Sequence, residues 1–226
     1  MPDWLTYRLS DFLLFSPRTY FRMFELYHAQ IWPIHVVVLV SVVAIAWLTR
    51  RQEELRGRTI AGLLAVSWIW VAIAFHLQRY ATINWAARYF AALFAIQGLL
   101  LVWYGLVRGR LRFGTSRHPA AYMAVGLLLV AFVFDPIAGR IAGRTWRQVE
   151  IFGVTPDPTA IATLALLALS SPRAPRALVV IPAAWCAIGG ATLWALGSPE
   201  AWVVLLAGLV GLVLAIRREP KTVRGS

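Results

Sequence analysis

The sequence predicts an all-α, polytopic bundle of transmembrane helices, and three observations predict it. Of the 226 residues, 60% are hydrophobic and only 14% are charged, where a soluble domain carries about 25% charged residues. Apolar runs recur along the chain at close to the ~20 residues that a membrane-crossing helix needs. Basic residues fall in short bursts between those runs, the pattern that holds cytoplasmic loops in place. With a mean hydropathy of +0.67, the chain lacks the charged surface of a soluble enzyme, a disordered protein or a nucleic-acid-binding domain. The net charge of +12 and the pI of about 11.1 therefore describe loops at a membrane, not a nucleic-acid footprint.

Seven spans follow in order: residues 30–49, 59–77, 85–107, 120–134, a short one at 158–171, 177–197 and 199–216. If the short fifth segment is re-entrant, the count becomes six. Ser16-Pro17, Asp135-Pro136, Asp157-Pro158 and Ser198-Pro199 each place a capping oxygen before a proline. Proline suits a first helical turn because its missing N–H has no partner there. Helices are thus expected to begin at Pro17, Pro136, Pro158 and Pro199, with the sixth and seventh segments forming an antiparallel hairpin. Trp32, Trp47, Trp85, Trp103, Trp194 and Trp202 lie near expected helix ends, the level tryptophan prefers. Trp68, Trp70 and Trp185 fall mid-helix and read as packing residues.

Residues 1–29 mix apolar and polar positions and read as an amphipathic N-terminal segment lying in the membrane interface. Residues 139–155 read as a second such stretch. The transmembrane domain is 30–216, and 217–226 is a polar cytoplasmic tail. Met1-Pro2-Asp3-Trp4 lacks the basic start of a cleaved signal peptide, so the first span serves as the insertion signal. With seven spans, one side carries 14 Lys and Arg residues and the other 8. That favours an outside N-terminus and a cytoplasmic C-terminus. Only one of the basic residues is lysine, Lys221, which reads as the codon bias of a GC-rich bacterial genome; the expected location is the bacterial inner membrane.

Ionisable groups within or beside a span are costly, and each raises a functional question. On the outer side the candidate binding residues are Glu25, His28, His35, His76, Arg79, Asn84 and Arg88. Glu25, His28, Trp32 and His35 share one helical face within about 80° if the helix is continuous. Pro33 interrupts that expectation. His76 and Arg79 are spaced i, i+3, and Asn84 and Arg88 i, i+4. Asp135, Glu150 and Asp157 fall in the outer connection between the fourth and fifth spans. They can join the same pocket, although Asp135 and Asp157, each preceding proline, read first as caps. Arg88 equally reads as snorkelling to headgroups.

No residue is assigned a catalytic or metal-binding role, and no cofactor is expected. The single Cys186 excludes an intrachain disulfide and reads as an inert buried thiol. No Walker loop, GxSxG elbow, HExxH or CxxC spacing occurs. Gly189-Gly190, with Ala187 and Ala191, reads as a helix-contact patch.

Three stretches carry a family resemblance: YRLSDFLLFSP at 7–17, FHLQRYATINW at 75–85 and FGVTPDP at 152–158. With them the chain resembles an uncharacterised family of small bacterial integral membrane proteins, some of them labelled permease. The likeness covers nearly the whole chain and brings no catalytic residues. The leading expectation is small-molecule transport or binding, of an anion if Arg79 and Arg88 set the charge, through an outward-facing polar pocket. Alternatives are an accessory or assembly subunit of a membrane complex, a membrane enzyme using Glu25, His28 and His76, or a metal or haem protein using His28 or His35 with His76. Expected partners are the lipid bilayer, a small molecule and, for the subunit reading, a membrane protein; nucleic acid is excluded.

Overall fold

The computed structural model describes residues 15–114 and 118–217. Among the described residues the chain is all-α, its helices joined by irregular connections, with no strand beyond an isolated antiparallel bridge between Phe113 and Ser170. Nine α-helices follow in order: α1 Pro17–Gln30, α2 Ile34–Leu48, α3 Glu54–Trp70, α4 Ala87–Leu101, α5 Pro119–Leu129, α6 Asp135–Ile141, α7 Pro156–Ala168, α8 Ala177–Ala195 and α9 Ala201–Ile216. Three π-helical turns extend α3 (Val71–Leu77), extend α4 (Val102–Val107) and join α5 to α6 (Val130–Phe134).

Four helices are long and apolar enough to cross a bilayer: Glu54–Thr82, Ala87–Val107, Pro119–Ile141 and Ala177–Ala195. A fifth arises if α1 and α2, bent by 90° at their junction, form one broken span. The count of seven is thereby corrected. Hydropathy reads composition but not where an axis breaks. The 15 residues of α2 extend only about 22 Å at 1.5 Å per residue, short of the ~30 Å hydrocarbon core. The expected fifth span is α7, whose 13 residues fall shorter still. α9 is apolar but has 16 residues.

α7 stands at the centre. Every residue from Pro156 to Leu167 is buried, enclosed by α3, α5, α8, α9 and the third π turn. This explains its unpatterned sequence: a helix surrounded on all sides has no polar face to show. Trp68 Nε1 donates to Thr163 Oγ1 at 2.8 Å, fixing α3 to α7. Gln97 Nε2 donates to the Leu178 carbonyl at 3.0 Å, fixing α4 to α8.

α8 and α9 form the expected hairpin, and glycines let them approach. A Cβ on Gly190 would overlap Leu205, and one on Gly208 would overlap Cys186. Small residues at such contacts gain close dispersion packing where apolar surroundings offer little hydrophobic drive. The six end-of-helix tryptophans are exposed, whereas Trp68 and Trp185 are buried.

α1 begins at Pro17, with Ser16 Oγ accepting from Thr19 N at 3.2 Å. Its buried residues Tyr20, Met23, Phe24, Tyr27 and His28 repeat at i, i+3, i+4, i+7 and i+8, an amphipathic stripe. That stripe faces Phe75 and Tyr80 of the bundle. Residues 1–14 of the N-terminal segment lie outside the described residues, as does the tail 218–226.

The other helix starts shift. α7 begins at Pro156, two residues before Pro158, and α9 begins at Ala201. The short helix expected at Pro136 is α6, which begins one residue earlier at Asp135 and continues the π turn before it, so that Pro119–Ile141 runs as one span. A start that the cap signals missed is Pro119, where His118 Nδ1 accepts from Ala120 N at 3.2 Å. Residues 139–155 form no interfacial helix beyond α6. They fold inward, burying Arg144, Val149, Glu150, Phe152 and Val154 across one end of the bundle.

Candidate functional site

That inward fold creates a buried polar centre. Asp157, the second residue of α7, is 2% exposed. Its Oδ1 accepts from Trp185 Nε1 of α8 at 2.7 Å, and its backbone N–H donates to Glu150 Oε2 at 3.1 Å. Asp157 is therefore a tertiary ligand, not a cap; the cap position of α7 is Thr155. Asp135 is not a cap either, since it sits within a continuous helix. It is buried within Coulombic reach of Asp157, Arg144 and Glu200.

Arg144 is the buried guanidinium of this centre. Its side chain pairs with Glu200, with Nε donating to Oε1 at 3.1 Å. It also lies over the Phe21 ring at 4.5 Å. Ser198 donates its hydroxyl to Glu200, and Arg140 donates to the Arg144 carbonyl. Four buried carboxylates (Asp135, Glu150, Asp157 and Glu200) thus face one buried guanidinium.

Such a set cannot be fully ionised, because burial without compensation disfavours each added charge. The Glu150 carboxyl is pushed well above the usual carboxylate range, first by burial and then by the negative charges of Asp157 and Asp135. The Asp157 N–H and Arg144 only partly offset this. Asp157 Oδ2 is buried and accepts no hydrogen bond among the described residues. Glu150 lies within hydrogen-bond reach of Asp157, so a proton on Glu150 supplies the missing donor.

An aromatic wall adjoins the centre. Trp185 touches Phe90, Phe94 and His76, with ring centroids 5.2, 5.0 and 5.0 Å away. His76 is fully buried, and among the described residues neither ring nitrogen has a hydrogen-bond partner. It lies in the first π turn, and Phe94 packs against both it and Trp68. π turns of this kind recur at functional positions in helices.

The seven candidate binding residues fall into separate settings. Glu25 pairs with Arg22 at 2.8 Å along the partly exposed side of α1. His28 Nδ1 and His35 Nε2 lie 2.7 Å apart across the α1–α2 bend, and Trp32 stacks on His35. A continuous helix would separate residues seven apart by about 10 Å along its axis, so the bend makes this contact. His76 faces the aromatic wall. Arg79 lines a surface cleft with α1. Asn84 Oδ1 accepts from Ala86 N at 3.0 Å and so organises the start of α4. Arg88 is exposed.

Sequence reasoning misses Arg144 and Glu200 and gives Ser198 only the role of a cap. Arg144 stood in a basic loop and was counted only as topology. Tyr20 and Tyr80 are also within Coulombic reach of Glu150 and Asp157. Among the described residues no group of three or more His, Cys, Asp or Glu side chains is arranged to hold a metal ion.

Gly189 of α8 makes room for the centre, since a Cβ there would overlap the Asp157 carboxylate. Gly189→Ala is expected to lower stability by about 1–3 kcal/mol through overpacking, measured by thermal unfolding in detergent. Gly126→Ala, where a Cβ meets nothing within 4 Å, is expected to be neutral or stabilising because alanine is the better helix former. Equal effects at the two positions would remove the close-approach argument.

The fold and centre together define an all-α bundle, with four to five helices apolar enough to cross a bilayer, closed at one end over a buried acidic site. The chain belongs to a family of unknown function (DUF6064), whose profile matches residues 18–225. No curated protein and no solved structure matches it.

Proposed function

We propose that this is a bacterial inner-membrane protein that binds or transports a small solute through the buried acidic centre, coupled to protons. The observation that carries the reading is the excess of buried carboxylates over the single buried guanidinium at one end of an apolar bundle. Ionisable side chains in such surroundings are expensive and mark ion and proton pathways. The loop charges support an outside N-terminus, a cytoplasmic C-terminus and hence an outer position for the centre.

The expected anion gives way to a cation. Arg88 is exposed and Arg79 lines a separate cleft, while the buried centre is acidic. A small cation entering beside Asp157 displaces the proton from Glu150, so the buried charge stays constant through the exchange. Trp185 and the neighbouring aromatic rings offer π faces to an organic ammonium.

Proteoliposomes loaded with a pH-sensitive dye test this. The protein is expected to conduct protons against an outward gradient of alkali or organic ammonium cations. Asp157→Asn, which keeps an oxygen for Trp185 but loses the charge, is expected to reduce that flux at least tenfold. Flux equal to that of empty vesicles across the cation panel would defeat the reading. If the inert protein also co-purified with a stoichiometric membrane partner, the accessory-subunit reading would replace it.

A further inference from the structure

A second charged feature lies outside the acidic centre and has the opposite sign. Arg18 and Arg22 of α1 and Arg79, just beyond the first π turn, line one open cleft of about 360 Å³ with Thr19 and Thr82. Met23, Leu26 and Ile83 form its apolar wall. Arg18 and Arg22 are spaced i, i+4 and share one helix face, where like charges repel.

Arg18 also stands in the first turn of α1, which contains no acidic residue. A helix N-terminus favours negative charge, so this end carries the wrong sign for its dipole. Of the three guanidiniums, Arg22 pairs with Glu25 at 2.8 Å. Among the described residues neither Arg18 nor Arg79 has a carboxylate within 4 Å.

We propose that this cleft binds a phosphate group. Guanidinium forks match phosphate oxygens two at a time, and an anion here relieves both the mutual repulsion and the mismatch with the helix dipole. The volume is within the range of small-ligand sites. The apolar wall beside the arginines suits a phosphate carried on an apolar body. A lipid headgroup or a soluble phosphate can supply the same chemistry. The site is independent of the acidic centre, and its failure would leave the proton-coupled reading untouched.

Binding is measured on the full chain, purified in a neutral detergent in chloride buffer of fixed ionic strength, by native mass spectrometry and thermal shift. The probes are inorganic phosphate, short-chain phosphatidylglycerol and short-chain phosphatidylcholine. Saturable binding is expected for phosphatidylglycerol, weakened about tenfold or more by Arg79→Gln and by the pair Arg18→Gln/Arg22→Gln. Arg110→Gln, which removes the same charge from an exposed position outside the cleft, is expected to bind as the wild type does. Inorganic phosphate competing for the site identifies a soluble phosphate as sufficient; its failure to compete identifies the lipid headgroup. No saturable binding of either anionic probe, or an equal loss in Arg110→Gln, overturns the proposal. Each variant's unfolding temperature without ligand shows that it is folded.

Discussion

Arg144→Met is expected to destabilise the bundle by about 3–5 kcal/mol, the cost of stranding a buried charge whose partner has been removed. The Arg144 and Glu200 side chains are 9% and 3% exposed, so water cannot replace the lost guanidinium. Asp135 stands within Coulombic reach of both, so its repulsion of Glu200 is no longer offset. Methionine keeps much of the volume and the contact with Phe21, which confines the change to charge and hydrogen bonding. The companion Glu200→Leu/Arg144→Met removes both charges and is expected to recover much of the stability, since apolar replacements of buried pairs are often neutral or better. Thermal unfolding of the single and double variants in detergent gives the coupling directly. A loss below about 1 kcal/mol for Arg144→Met would place the pair with exposed ion pairs, whose removal is nearly silent. The buried centre would then have to be abandoned.

What the sequence disclosed and what it concealed differ in physical kind. Apolar composition, the tryptophans at helix ends and the Ser16-Pro17 cap are local properties, and each is present in the fold. The α8–α9 hairpin was equally legible, because Gly189-Gly190 and the Ser198-Pro199 turn act over a few residues. The span count was legible only in part: the shortness of α7 shows in the sequence, but the 90° break between α1 and α2 does not. The acidic centre lay between the two cases. Asp135, Glu150 and Asp157 were visible at one end of the chain's apolar segments, but the Asp-Pro pattern fits a cap as well as a tertiary ligand. Trp185 decides between them for Asp157, and it lies 28 residues away. Arg144 and Glu200 are 56 residues apart, and no local pattern announces their pairing. His76 was singled out for its polarity, but its burial was not legible, because on a regular α-helix it falls about 100° from Phe75 and no sequence pattern announces the π turn that holds it.

Raising the pH is expected to weaken the fold, and Glu150→Gln is expected to abolish part of that dependence. The Glu150 proton is held more tightly in the folded chain than in the unfolded one, because burial and the charges of Asp157 and Asp135 oppose ionisation. Below the ordinary glutamate value of about 4.3, both states keep the proton and Glu150 imposes no penalty. Above it the unfolded chain ionises while the folded chain retains its proton. The unfolded state then binds fewer protons, and stability declines with pH until the raised folded value is passed. Glutamine cannot ionise, yet its amide oxygen still accepts from the Asp157 N–H. Unfolding temperatures measured from pH 4 to pH 8 are therefore expected to fall for the wild type and to fall less steeply for Glu150→Gln. The variant should be the more stable protein at neutral pH. A flat or rising wild-type profile, or two parallel ones, would show that Glu150 is not held protonated by the fold. Retaining an ionisable residue that weakens the fold at neutral pH makes physical sense where the exchangeable proton itself is used. The same variant should accordingly gain stability while losing proton flux, a pairing of effects that a purely structural glutamate would not produce.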